Sequence, residues 1–385
     1  MGLKQNTWKL NQWYDQDVAG NVSYSGTKEL WGWGQNAPAG TIGVNDAINY
    51  SSPVQIPGTT WSIAPTQQYV GAIVIKTDGT LWAWGNNGYG TVGDNTTINR
   101  SSPTQVGSAT NWSKAQTGQT FQAALNTSGE LWVWGGNGQG QLGQNQPGSS
   151  HKSSPVQVAS DKTWSDFNVS SGYLLAAVNT AGELWVWGRN EQGELGQNNR
   201  TSYSSPIQVG SDTTWSGVIG GSLECVTAFK TDGTLWVWGQ NSQGELGINS
   251  VADYSSPVQL PGTTWSTFSG TYSGYFALKT DGTLWAWGNN SKGQLGQNSV
   301  VKYSSPVQIP GTDWSKIASS GYSGMAMKTD GTLFSVGYND KGQLGQNNRT
   351  AYSSPVQIPG TSWSDIGPAK GSQVINGPYW GIKNI

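Results

Sequence analysis

Leu235-Trp236-Val237-Trp238-Gly239 is one of six intact copies of the pentapeptide Leu-Trp-x-Trp-Gly, which begin at Leu30, Leu81, Leu131, Leu184, Leu235 and Leu284. A seventh, degraded copy reads Leu333-Phe334-Ser335-Val336-Gly337. Successive copies start 49 to 53 residues apart, the period that one four-stranded propeller blade requires. In a strand the two Trp fall on one face, and Leu and the small residue between the Trp on the other, so both faces are apolar. A helix would set the two Trp about 200° apart. A strand apolar on both sides suits a blade stacked between two neighbours.

Working outward, each pentapeptide runs into a loop of the form G-x-N-x-x-G-x-L-G-x-N. A Ser-Ser-Pro-Val-Gln strand, Pro-Gly-Thr, a Trp-Ser element, a variable stretch and an alternating strand follow. That strand ends in an X-Gly turn: Asp78-Gly79, Ser128-Gly129, Ala181-Gly182, Asp232-Gly233, Asp281-Gly282 and Asp330-Gly331. Such pairs signal a tight hairpin, because Gly accepts the positive φ the turn imposes. Four strands per unit result. Before Leu30 the turn is missing, with Lys28 in the Gly place, while the C-terminal run Trp380 to Ile385 aligns with Phe276 to Asp281 and stops where that turn would begin. The expectation is an all-β, seven-bladed β-propeller over residues 28–385. Its last blade combines C-terminal strands, from about Trp363, with N-terminal strands, from about Leu30, leaving no open edge. Of the 22 Trp, 12 lie in intact pentapeptides and seven in Trp-Ser elements. Each covers on the order of 200 Å² when buried, up to about 5 kcal/mol at roughly 25 cal/mol per Å². Where Phe334 and Val336 replace the Trp pair, a thinner contact between blades is predicted.

Residues 1–27 do not repeat and form a separate N-terminal arm. Trp8, Trp13 and Tyr14 in it are apolar anchors of the kind that dominate interfaces, and Gly20, Ser23, Ser25 and Gly26 connect it to the ring. The arm either anchors the ring to a partner or packs on it as a cap.

Charged residues make up 11% of the chain, the net charge is -2, and no basic run occurs, so neither nucleic acid nor an anionic membrane is an expected partner. One cysteine, Cys225, and one histidine, His151, exclude an intrachain disulfide and a His/Cys metal cluster. No apolar run of signal-peptide or membrane-span character is found. Gly88-Tyr89-Gly90-Thr91-Val92-Gly93 matches G-x-G-x-x-G, but no helix follows, and it is the repeat loop. Its glycines read as turn residues, with Asn36, Asn87, Asn137, Asn190, Asn241, Asn290 and Asn339 bonding local backbone. Cys225 reads as a small core residue, and His151, Glu191 and Glu194 as a solvated rim. No nucleophile, base and orienting group come together, so no enzyme and no cofactor are expected.

In an up-and-down blade the loops alternate between two ends of the ring. The X-Gly turns and Pro-Gly-Thr segments share one nearly uniform end. The segments after Trp-Ser and the Gly/Asn loops share the other, which varies. There Tyr69, Tyr89, Tyr173, Tyr272, Tyr275 and Tyr322 offer amphipathic contact area at low entropic cost, the character of a binding face. Unconstrained loop drift is the competing explanation.

The unit D-G-T-L-W-x-W-G-x-N-x-x-G-Q-L-G, followed by S-S-P-V-Q and W-S, resembles the repeat of the regulator of chromosome condensation family over about residues 28 to 385. The resemblance implies a seven-bladed propeller. Family copies usually carry a His before the Asp-Gly turn, where this chain has Gly274-Tyr275-Phe276 or Gly324-Met325. The N-terminal stretch LKQNTWKLNQWYDQDVAGNVSYSG is similar to the start of predicted structural proteins of marine bacteriophages. That likeness implies a virion component, a head decoration or tail appendage released by lysis, held to other virion proteins by the arm and facing a host-surface protein or glycan. A soluble bacterial protein- or glycan-binding propeller, cytoplasmic or exported without a recognisable signal, is the alternative. An exchange factor for a small GTPase is the third reading.

Overall fold

The computed structural model describes residues 30–34, 36, 38–48, 50–58, 60–61, 66–68, 71–146, 148, 150–169, 173–220, 225–270, 274–340, 342, 344–346, 348–359, 363–368 and 379–383. The arm, with Trp8, Trp13 and Tyr14, lies outside them. Six four-stranded antiparallel sheets follow one another along the chain: blade one (66–105), two (112–157), three (164–208), four (215–259), five (265–309) and six (314–358). Two-stranded sheets flank them, Trp31–Gly34 with Tyr50–Gln55 at one end and Trp363–Pro368 with Tyr379–Lys383 at the other.

Blade three shows how sequence sets the blade. Its strands are Trp164–Val169, Leu174–Asn179, Leu184–Gly188 and Tyr203–Gln208, hydrogen-bonded in chain order. All six residues of the second strand are buried, and the third is buried except for Trp185, as expected of strands covered on both faces. The Ser-Ser-Pro strand lies at the outer edge, half-buried, and pairs through a bulge between Val186 and Gly188. Pro206 has no N–H to give, so an edge strand is where it fits. The X-Gly turns take the left-handed region, with Gly182 at φ 76°. A Cβ there would stand 2.1 Å from the Thr213 carbonyl oxygen of the next blade, and the Gly182 carbonyl accepts the Trp215 N–H at 3.1 Å.

The core is divided among the seams between blades. Leu174, Ala176, Val178, Leu184, Val186, Leu195 and Val209 of blade three meet Trp215, Val218, Val226, Ala228 and Trp238 of blade four. The two Trp of the pentapeptide, equivalent by pattern, differ in burial. Trp238 is 0% exposed and its indole donates to the Glu194 carbonyl of the preceding blade at 2.8 Å. Trp236 is half-buried, donates to Thr234 Oγ1 at 3.0 Å, and carries the Lys230 ammonium 4.2 Å from its ring.

The hairpin turns come in two chemistries. In K-T-D-G-T hairpins the Asp carboxylate accepts the hydroxyl and N–H of the Thr two residues on, as Asp232 does from Thr234 at 2.7 and 2.9 Å. In blades two and three the sequence is N-T-x-G-E, and Asn126 and Asn179 instead donate to Glu130 and Glu183 at 2.6 Å. Those Thr bonds hold Asp78, Asp232, Asp281 and Asp330 below the usual carboxylate value. The Lys230 ammonium, with Thr214, lowers Asp212 to about 2. A carboxylate depressed by folding stabilises fully above its unfolded value of 3.8 and loses that contribution as pH falls through the folded value. The melting temperature is therefore expected to fall between pH 4 and pH 2, and to fall less in a variant with all four turn Asp changed to Asn. Parallel pH curves for the two proteins would show that these turns are not responsible.

The chain ends, expected to combine in a single closing blade, form two separate half-sheets. No ladder joins 379–383 to 31–34 among the described residues. Each half packs on its own neighbour: Leu30, Ile42 and Ile56 on Trp84 of blade one and on Trp61, which bridges to Lys76 of that blade, and Ile366 on Ala318, Met325 and Leu333 of blade six. In six loops, a Cβ added to Gly40, Gly90, Gly140, Gly193, Gly244 or Gly293 would strike a Ser of the next outer strand. At Gly342 and Gly345 it would meet only Asn348 and Ile358 of the same blade.

Candidate binding face at the Asn-loop end

The segments after Trp-Ser and the Gly/Asn loops do share one end of the ring, since the backbones of Gly136, Arg189 and Tyr338 donate to the carbonyls of Thr120, Tyr173 and Tyr322 at 2.8 to 3.0 Å. Each Gly/Asn loop is wound around one buried Asn. Asn190 Oδ1 accepts the Leu195 N–H at 2.8 Å, and its Nδ2 donates to the Asn199 and Thr201 carbonyls at 3.1 and 2.9 Å. The same Oδ1 bond recurs at Asn36, Asn87, Asn137, Asn241, Asn290 and Asn339, at 2.7 to 3.0 Å. These side chains satisfy backbone that would otherwise be buried unpaired, which makes the loops a fixed platform. A second Asn, left-handed at positions 45, 95, 145, 198, 249 and 298, donates its N–H to a Ser carbonyl of the next outer strand at 2.6 to 2.8 Å.

Late in these loops, just ahead of the outer strand, stand Ile48, Ile98, Val251, Val300 and Val301, each 54 to 67% exposed. Single exposed aliphatics are ordinary. Here they recur two or three residues before the first residue of the outer strand in four of the loops. Reading for Tyr missed them; the signal is an aliphatic residue one or two positions before each Asn-Arg, Asn-Tyr, Asp-Tyr or Lys-Tyr that opens an outer strand.

Of the Tyr assigned to this face, Tyr89 is exposed, its ring edge-on to His151 at 5.0 Å. His151 is exposed as expected, yet tied down, its Nδ1 accepting the Asn137 N–H at 3.3 Å. Tyr173 and Tyr322 are half-buried at the same end. Tyr69 and Tyr272 fall outside the described residues. Tyr275 is a correction: at 1% exposure it belongs to the core, stacked on Phe268 and Trp287, its hydroxyl 2.5 Å from Cys225 Sγ. Its position in the second strand, covered on both faces, accounts for this. Cys225 is buried beside it, as its strand pattern implied.

The acidic pair also separates. Glu191 is exposed and ion-paired with Arg189 at 2.6 Å. Glu194 is buried, its carboxylate accepting the Gln192 N–H at 2.7 Å, and Glu245 repeats that bond to Gln243 in blade four. Burial pushes the Glu245 carboxyl above the usual glutamate value, Asp253 adding to the rise while the Gln243 N–H and Lys302 oppose it. These carboxylates close their own loops. On the innermost strands, Lys114 bridges Asp166 at 2.5 Å and the Phe167 carbonyl at 2.7 Å, while Asp166 accepts the Val218 N–H at 3.1 Å. Ion pairs and hydrogen bonds thus link blades two, three and four at the axis. Among the described residues no group of three or more His, Cys, Asp or Glu converges to hold a metal.

Six stretches, 78–125, 128–176, 181–223, 232–270, 281–327 and 330–366, match the regulator of chromosome condensation (RCC1) repeat, together more than half of the chain. The chain belongs to the RCC1 repeat family. Each matched stretch begins at an X-Gly turn and runs through the two outer strands of one blade into the first inner strand of the next, three of them reaching its second inner strand as well, so the repeat corresponds to a seam and not to a blade. Mouse Protein RCC2 is 33% identical over 85 residues, 22% of this chain and 16% of that protein. The Ultraviolet-B receptor UVR8 of Arabidopsis thaliana is 28% identical over 85 residues, 22% of this chain and 19% of its own length. The chain therefore aligns with less than a fifth of the length of these relatives. Among solved structures, Prp20p of Saccharomyces cerevisiae, described with its binding properties to Gsp1p and histones, superimposes with a TM-score of 0.76 at 16% identity, covering 96% of this chain and 95% of that one. Human WBSCR16 gives 0.70 at 19% identity, covering 89% and 96%. At these identities the likeness is one of fold.

Proposed function

We propose that this RCC1 propeller is a non-enzymatic binding protein that presents its Asn-loop end to a partner. The observation that carries the reading is the row of exposed aliphatic side chains on loops whose backbone is fixed by buried Asn. Apolar groups held on a rigid platform lose little conformational freedom on binding, and exposed apolar residues at recurrent positions mark interaction sites. We further propose that it serves on a bacteriophage virion, held to other virion proteins by Trp8, Trp13 and Tyr14, with a host-surface protein or glycan as the displayed partner. The unrepeated arm, the phage-like N-terminal stretch and the charge-poor surface support this. Near-equivalent blades offer a partner several similar contacts, and a unique arm removes that degeneracy. The 31–55 and 363–383 half-sheets we read as two halves of a seventh blade, supported by matched strand order and by four strands in every complete blade.

The test is antibody labelling of purified particles, with the full chain and with a chain lacking residues 1–25. Labelling of the first and none of the second is expected, with the melting temperature of the purified propeller nearly unchanged by the deletion. Full labelling without the arm would remove its anchoring role. Recovery of the protein only from the soluble fraction would favour the soluble protein- or glycan-binding alternative.

A further inference from the structure

In five seams the second Trp of the pentapeptide sits in a seat built by the preceding blade. The indoles of Trp84, Trp134, Trp187, Trp238 and Trp287 donate to the carbonyls of Thr41, Thr91, Gln141, Glu194 and Glu245 at 2.8 to 3.0 Å. Around Trp287 the seat consists of Gly247, whose added Cβ would fall 2.7 Å from the indole nitrogen, of Leu260, and of the Trp265 ring 6.1 Å away. In blade six Val336 has this place, and beside Gly296, where the other seams hold an indole, the nearest groups are Ile309 and Pro355 at 3.3 to 3.4 Å from an added Cβ. A cleft of about 390 Å³ remains there, lined by Gly296, Ile309, Trp314, Lys328, Phe334 and Pro355. Gly296, Ile309 and Trp314 are the counterparts of Gly247, Leu260 and Trp265. Lys328 stands at one end, 5.2 Å from the Trp314 ring and 5.5 Å from the Phe334 ring, paired with Asp313 at 3.2 Å.

We infer that this cleft is a binding site for a tryptophan side chain of a partner polypeptide. The chain itself supplies the template, since five other seams fill the same seat with an indole in one orientation. Size agrees: an apolar cavity of about 150 Å³ holds benzene, so the cleft takes a bicyclic ring with part of its backbone. Chemistry agrees as well, because aromatic walls at Trp314 and Phe334, aliphatic walls at Ile309 and Pro355 and an ammonium at Lys328 suit a large flat aromatic ring. The outer strand supplies Pro355, so the seat lies at the rim of the seam, where a chain can approach. Gly296, Gln297 and Asn298 of the lining belong to one Gly/Asn loop, but none of the exposed aliphatic residues that carry the proposed binding face lines the cleft, so the two proposals are tested by different side chains.

The experiment titrates the full chain with N-acetyltryptophanamide by saturation-transfer NMR, beside N-acetylphenylalaninamide and free indole. Saturable binding with Kd on the order of 1 mM is expected for the tryptophan amide, and roughly fivefold weaker binding for the phenylalanine amide, whose smaller ring buries less apolar area. Val336→Trp should refill the seat from within, raise the melting temperature and abolish binding. Val336→Phe, a smaller insertion, should weaken binding and carries the test if the Trp variant misfolds. No saturation at tenfold higher probe, or undiminished binding in the folded variants, overturns the inference. Binding of indole without binding of the amide would mean a small-molecule site and would overturn it too. So would binding that appears only after residues 1–25 are removed, since the chain's own tryptophans would then be the occupants.

Discussion

Trp238→Ala is expected to destabilise the protein by about 3 to 5 kcal/mol, and Trp236→Ala by clearly less. Both rings sit in the same strand, two residues apart, so propensity and position are held constant by the comparison. Trp238 is fully enclosed against Leu184, Leu195 and Val209 of blade three. Its removal leaves a cavity and strands the Glu194 carbonyl that its indole satisfies. Trp236 keeps part of its surface in solvent and trades contact with the Lys230 stem and ammonium, which water replaces in part. Chemical denaturation with an unchanged m-value would read the difference directly. Equal losses for the two variants would mean that the seam does not draw its stability from the inner indole.

Deleting residues 363–385 should abolish single-step cooperative unfolding. The deletion uncovers Ala318, Met325, Met327 and Leu333, which Ile366 and Trp363 cover, and it removes the bond from the Trp363 N–H to the Gly331 carbonyl. If the half-sheets join as proposed, the truncated protein also loses the partner of 31–55, so damage at one end of the chain should appear at the other. Hydrogen exchange of blade one measures that. A truncated chain that melts like the intact one, with blade one equally protected, would rule out closure through this blade.

The fold was legible because the repeat writes it several times. The apolar character of both strand faces, the X-Gly turns and the Ser-Ser-Pro edge each describe a local constraint that tertiary structure does not override. The loop Asn were legible for the same reason, as short polar side chains beside turn glycines. What escaped was burial that depends on neighbouring blades. Tyr275 reads as one more loop-side Tyr, yet Phe268 and Trp287 enclose it. Glu194 reads as rim, yet its loop folds its carboxylate back onto a backbone N–H. The two Trp of each pentapeptide share a face, and only the preceding blade's loop distinguishes the covered one from the half-covered one. The Phe334 and Val336 replacements did announce a thinner seam, and the cleft beside Gly296 is its shape.

Five seams also have a direction. The indole of the later blade reaches back to the earlier loop, and the left-handed Asn of the earlier loop reaches forward to the later outer strand. Such contacts are heterologous, a donor surface on one side and a different acceptor surface on the other, and a heterologous series either closes or continues. The two half-sheets are its unmatched ends. If they join as proposed, they do so within one chain at high effective concentration, whereas a chain whose ends are held apart carries a donor and an acceptor surface suited to another copy. Closure of that proposed kind would keep the propeller discrete, and a change that keeps its ends from meeting would make it the first link of a polymer.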